Sequence, residues 1–148
     1  MRIAVGSDHA GYRLKEHIAR FVSEAGHAVV DVGTYSEDPV DYPDFAAAVG
    51  RTVLEGRADR GIVVCGSGAG AAIAANKLKG IRAALAHDTY TAHQSVEHDD
   101  ANVLAVGSRV VGPALVDEIV TAFVGARFSG EERHVRRVNK IRALEEQS

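Results

Sequence analysis

The chain has one cysteine in 148 residues, Cys65, so it cannot close an internal disulfide, and neither a second Cys nor a His at ligand spacing accompanies it as a metal partner. Only 5% of residues are aromatic and the formal net charge is -3, whereas a nucleic-acid surface needs stacking rings and a broad basic excess. No apolar run approaches the roughly 18 residues of a membrane-spanning helix. The opening Met1-Arg2-Ile3-Ala4-Val5 reads as a strand rather than an export leader, so a cytoplasmic protein is expected. Neither nucleic acid nor membrane is an expected partner, and an anionic ligand would have to be drawn by local charge.

What is present suits one globular domain over 1–148: 46% hydrophobic residues, 25% charged, and no repeat, low-complexity tract or linker. Short β-branched runs at Arg2–Ser7, Ala28–Val32, Gly61–Cys65, Arg82–Ala86 and Val103–Val106 predict strands. Helical patterns fall at Tyr12–Ala25, Tyr42–Glu55, Ala69–Leu78, Thr89–His98, Pro113–Val124 and Arg133–Glu145. Alternation of this kind predicts an α/β fold, a parallel sheet with helices on both faces. Gly26, Gly56 and Gly80 are expected as helix stops and Pro113 as a helix start, while the irregular stretch Gly33–Pro43 could border a pocket.

In open parallel sheets ligands sit beyond the carboxyl ends of the strands. Those ends carry Asp8-His9, Cys65 with Gly66-Ser67-Gly68-Ala69-Gly70, His87-Asp88, and Gly107-Ser108-Arg109. Gly66, Gly68 and Ala71 satisfy the relaxed dinucleotide pattern, with Asp88 after the next strand as the ribose acid. A nicotinamide enzyme also needs a catalytic region, and five short strands leave little chain for one; an anion-binding loop is preferred over both the cofactor loop and a plain tight turn.

Cys65 by itself is as readily a small buried hydrophobe as a base, and its position beside backbone N–H groups at a strand-to-helix turn is what favours the thiolate. Asp8 with His9, and His98 with Asp99, each read either as helix-end caps or as ligands. Arg133 and Arg137 share a helix face and with Arg109 could clamp a phosphate, against the default of a solvated basic face. His17, His27 and His93 are expected at the surface.

Six ordered blocks then carry a full-length resemblance: GSDHAG at 6–11, DYPDFA at 41–46, CGSGAGAAIAANK at 65–77, GIRAALAHD at 80–88, EHDDANVLAVGSR at 97–109 and RHVRRV at 133–138. The chain resembles the ribose-5-phosphate isomerase B family, which also contains the galactose-6-phosphate isomerase subunits. The resemblance implies an aldose–ketose isomerase of the pentose phosphate pathway, without metal or cofactor, that interconverts ribose 5-phosphate and ribulose 5-phosphate. It implies a flavodoxin-like sheet of order 2-1-3-4-5 and sites at a homodimer boundary, with pairing into tetramers left open and the helix 133–145 contributing to both site and boundary. A tetrose 4-phosphate, allose 6-phosphate or galactose 6-phosphate is the alternative substrate; a sugar-phosphate sensor or a nucleotide-binding module is the rival class.

By the same resemblance Cys65 is the base, and Gly70-Ala71-Ala72-Ile73 lacks the glutamate that replaces the cysteine in one branch. Gly66, Ser67, Gly68, Ala69 and Gly70 form the anion hole, His98 helps open the sugar ring, and His9, Arg109, Arg133 and Arg137 hold phosphate. Asp8 binds sugar hydroxyls and assists proton movement, with Tyr42 and His134 as further pocket residues. Asp99 stands where the family usually has Asn, an acceptor in place of a group that also donates.

Overall fold

The structure, a computed structural model, describes residues 1–148. Its elements follow the order β1 (Arg2–Ser7), α1 (Tyr12–Glu24), β2 (Ala28–Asp31), α2 (Tyr42–Leu54), β3 (Arg60–Cys65), α3 (Ala69–Ala75), β4 (Ala83–Leu85), α4 (Thr89–Asp99), β5 (Val103–Gly107), α5 (Pro113–Gly125) and α6 (Glu132–Glu146). All strand pairs are parallel. No helix is long and apolar enough to cross a membrane.

The sheet order is β2-β1-β3-β5-β4, which corrects the expected 2-1-3-4-5 in its last two places. Burial explains the exchange. Every residue of β5 is buried, as an unbroken apolar run demands of a strand covered on both faces, whereas β4 has three residues and leaves Leu85 41% exposed. The short alanine-rich strand therefore takes the edge, where few unpaired backbone groups are left to manage.

Alternate residues of the central strands feed two cores. Ile3, Val5, Ile62, Val64, Leu104 and Val106 pack under α1, α4 and α5, against Leu14, Ile18, Val22, Val96, Val116, Ile119 and Phe123. Ala4, Val63, Cys65, Val103 and Ala105 face α2 and α3, against Ala46, Val49, Ala71, Ala72 and Ala75. Each fully buried branched or aromatic side chain contributes about 1.5–3 kcal/mol, so the larger side chains of the first face dominate stability. The small residues of the second let α3 approach the sheet, which brings the glycine loop onto the strand ends.

One ionic side chain has no exposed surface at all. Lys15, on the inner face of α1, is fully buried, and its Nζ donates to Asp31 Oδ1 and Oδ2 at 2.8 and 2.9 Å and to the Thr34 carbonyl at 2.7 Å. It fastens α1 to the chain leaving β2.

The helix ends follow expectation where local chemistry sets them. Gly26, Gly56 and Gly80 take positive φ after α1, α2 and the turn beyond α3, and Pro113 opens α5. Helix α3 stops at Ala75 rather than Leu78, because Lys77 and Leu78 donate to carbonyls three residues back and Asn76 turns aside to hold both backbone groups of Ala83.

Candidate active site

Strands β1, β3 and β5 are neighbours, so their carboxyl ends meet, and backbone hydrogen bonds lock the residues just beyond those ends. The Asp8 N–H donates to Val64 O at 3.2 Å, that of Ser108 to Cys65 O at 2.9 Å, and that of Arg109 to Gly66 O at 3.0 Å. This lattice gathers Asp8, Tyr42, Cys65, Gly66, Ser67, Gly70 and Arg109 around one cavity of about 400 Å³. Cys65 is only 4% exposed, yet it forms part of that wall.

The glycine loop is shaped by close approach. Gly68 has φ +81°, and a Cβ there would lie 2.8 Å from the Val106 carbonyl carbon and 3.0 Å from the Gly107 nitrogen. Both backbone sign and space require glycine. The turn directs the Gly68 N–H at the Cys65 sulfur, 3.2 Å away, while the Ser67 hydroxyl accepts the Ala69 N–H at 3.2 Å. Two of the expected anion-hole donors are thus engaged within the loop, and the N–H groups of Gly66 and Ser67 have no partner in the chain. The Arg109 guanidinium lies against Gly66, with Nη1 3.3 Å from where a Cβ would stand. Tyr42, delivered by the irregular stretch before α2, packs its ring on Gly70, leaving no room for a side chain there. Asp8 uses one carboxylate oxygen to accept the Gly11 N–H at 3.0 Å.

Other expected site residues lie elsewhere in the single chain. His9 accepts the Val40 N–H through Nδ1 at 3.1 Å and anchors the loop toward Tyr42. His98 and His134 stack, ring centroids 4.1 Å apart and planes 23° from parallel, where α4 meets α6. His98 lines a second cavity with Tyr90, His93 and Glu97. Arg133 pairs with Glu131, and Arg137 is exposed on the same helix. Asp99 lines a third cavity beside Arg82, Ser95 and Glu145. None of His98, Asp99, Arg133, His134 or Arg137 lines the Cys65 cavity, so within one chain Arg109 does not join the two helix arginines in a clamp. Burial, then the neighbouring His98 and Arg133, push His134 below the ordinary histidine value, with Glu131 opposing.

Two residues acquire roles that sequence reasoning had not given them. Asp88 caps α4, its Oδ1 accepting the Thr91 N–H at 2.7 Å, a hydrogen bond that holds its carboxyl below the usual range; this is a helix start rather than a ribose contact. His87 accepts the Gly107 N–H through Nε2 at 2.9 Å, pinning β4 to the mouth of β5. Its place directly after a strand, like that of Asp8-His9, was the available signal. His17 and His93 form surface pairs with Asp117 and Glu97, and His27 meets the terminal amine. No three His, Cys, Asp or Glu side chains are grouped to hold a metal ion.

A doubly wound sheet with a thiol, a carboxylate, a guanidinium and open backbone donors beyond its strand ends defines an α/β protein with a site for a small anionic, hydroxyl-bearing molecule. The chain belongs to the Ribose/Galactose Isomerase family, whose model matches residues 3–141. It is 47% identical over 145 residues to ribose-5-phosphate isomerase B of Escherichia coli, covering 98% of this chain and 97% of the relative. It is 42% identical over 134 residues to D-erythrulose-4-phosphate isomerase of Pectobacterium atrosepticum, covering 88% and 86%. The solved structure of Clostridium thermocellum ribose-5-phosphate isomerase B superposes with a TM-score of 0.97 at 50% identity, covering 99% of each chain.

Proposed function

We propose that the chain is a sugar-phosphate isomerase acting on ribose 5-phosphate and ribulose 5-phosphate, with Cys65 as the base. The observation that carries this reading is Cys65 set in the wall of a cavity shared with Asp8 and Arg109, beside the unpartnered N–H groups of Gly66 and Ser67. The thiolate takes the proton from C2 of the open-chain aldose. The electron pair moves through C1 onto the carbonyl oxygen, and the two N–H groups receive the charge that forms there. The O2 hydroxyl proton passes to O1 and return of the abstracted proton at C1 gives the ketose, and since electrons only move between neighbouring carbons, no electron acceptor is called for. Asp8 orients the sugar hydroxyls.

In this proposal a second copy of the chain completes the site, its His98, Arg133 and Arg137 closing over the Cys65 cavity. The arginines grip phosphate, so that binding energy remote from the reaction fixes the reacting end. Support comes from the open cavity and from apolar residues left uncovered around it: Tyr42, Leu85 and Val110 are 41%, 41% and 55% exposed. Relatives in the family act on a pentose phosphate and a tetrose phosphate by name, and the pentose is favoured by the higher identity, 47% and 50%, to two ribose-5-phosphate isomerases B, against 42% and 40% to two tetrose-phosphate enzymes.

The test is solvent deuterium exchange. Ribulose 5-phosphate incubated in D2O should gain label at C1 with the parent protein and none with Cys65→Ala, whose folded structure and ligand affinity stay close to the parent's. Exchange at a parental rate in Cys65→Ala would remove the cysteine from the reaction.

A further inference from the structure

The stacked His98–His134 pair is held from both sides by residues that no part of the reaction has yet used. On α4, Gln94 sits one turn before His98, and its amide Nε2 lies 3.0 Å from His98 Nδ1. Ahead of α6, Ser129 is a three-way junction: its N–H donates to Glu97 O at 3.0 Å, its Oγ accepts the Glu131 N–H at 3.2 Å, and the same Oγ lies 2.5 Å from His134 Nδ1. The Ser129 hydroxyl has one proton and no other acceptor in the chain. It can donate to a bare Nδ1 or accept from Nδ1–H, and in either tautomer it engages that nitrogen and leaves Nε2 as the free one.

We infer that Gln94 and Ser129 are positioning residues, which engage the Nδ1 atoms of the two stacked rings so that His98 exchanges protons through Nε2 alone, above a His134 ring that stays neutral. This rests on the isomerase reading above. An amide suits the first task because it can donate to a bare Nδ1 or, turned over, accept from Nδ1–H, and so tolerates both charge states of His98. A neutral platform suits the second, since a second cation beneath His98 would oppose its protonation. The charged groups around the pair are Glu97 with its partner His93 on α4, Glu131 before α6, and Arg133 and Arg137 on α6, while α5 presents only Ala122 to this cavity.

The step served is ring opening. Protonated His98 gives its Nε2 proton to the ring oxygen as the C1–O bond breaks with its electron pair. Nε2 then takes the proton of the C1 hydroxyl, leaving the aldehyde and a histidine in its starting state. Ribulose 5-phosphate has its C5 oxygen esterified and cannot close a furanose ring, so its C1 exchange needs the base without needing this step.

That difference supplies the experiment. Gln94→Met and Ser129→Ala should each slow isomerisation of ribose 5-phosphate about tenfold, with deuterium exchange into ribulose 5-phosphate at the parental rate, and Ser129→Thr, which keeps the hydroxyl, should restore the first activity. Gln94→Glu offers only an acceptor to Nδ1 and should move the His98 limb of the ribose 5-phosphate pH profile upward by about one unit, leaving the ribulose exchange profile in place. Equal loss of both activities, or loss of neither, overturns the assignment. Absence of exchange into ribulose 5-phosphate with the parent protein overturns the isomerase reading instead, so the two failures are separable.

Discussion

Two inactive variants should restore each other when joined in one dimer. In the proposed site Cys65 comes from one copy and His98 from the other, so Cys65→Ala and His98→Asn each inactivate both sites of their own homodimer toward ribose 5-phosphate. In a mixed dimer the lesions fall differently, because one site collects both substitutions while the other collects none. A heterodimer purified through two different tags on co-expressed chains should therefore show about half the parental kcat, and a statistical mixture of dimers about a quarter. The ribose 5-phosphate KM should equal the parental value, since the surviving site is unaltered. The basis is the separation in the fold: the cavity holding Cys65 contains none of His98, His134, Arg133 or Arg137. An inactive purified heterodimer would refute the divided site, as would failure of the two tagged chains to associate at all.

Gly107→Ala should disturb the glycine loop from below, because the new Cβ would stand 2.6 Å from both the carbonyl carbon and oxygen of Ser67, where ordinary contact begins near 3.4 Å. Relief requires the loop to shift by about 0.8 Å, at a cost of about 1–3 kcal/mol in urea unfolding, and kcat should fall about a hundredfold; parental turnover would show that the loop's position is not critical. His134 should make the protein less stable in acid. Its proton affinity is lowered in the folded state, so between that lowered value and the ordinary value of about 6.5 the unfolded chain binds more protons. Stability then rises with pH across this window and is lost as pH falls through it. Urea midpoints at pH 7.5 and 5.5 should differ more in the parent than in His134→Gln, and an equal or larger difference in the variant would contradict the assignment.

Much of the fold was legible because it is written in local chemistry. The β-branched runs, the glycines after α1 and α2 and the proline opening α5 each act within a few residues, and the elements formed where they indicated. Sheet order is a global outcome: β4 and β5 read alike as short apolar strands, and only the competition for a doubly covered position sends Val103–Gly107 inward and Ala83–Leu85 to the edge. At the site, Asp8, Cys65, the glycine loop and Arg109 could be gathered by strand-end reasoning because they come directly after three adjacent strands. The partners of individual N–H groups could not, since whether Gly68 serves sulfur or solvent depends on a turn of a few tenths of an ångström. The His98–His134 stack joins residues far apart in the chain, and nothing near either announces the other. Lys15 carries the least visible role, an ammonium on an otherwise apolar helix face whose partners Asp31 and Thr34 lie at the end of the next strand and just past it.

The hydrogen bond from Gly68 to the Cys65 sulfur has a bearing on how little the pocket needs to move during turnover. In the proposed reaction one negative charge rests on sulfur before the chemical step, with this amide as its counterpart; afterwards one negative charge rests on the sugar oxygen, near the amides of Gly66 and Ser67. The total is constant, and the charge merely changes address along a single loop. A rigid loop can therefore serve both ends of the transfer, and rate should be insensitive to solvent viscosity once substrate is bound.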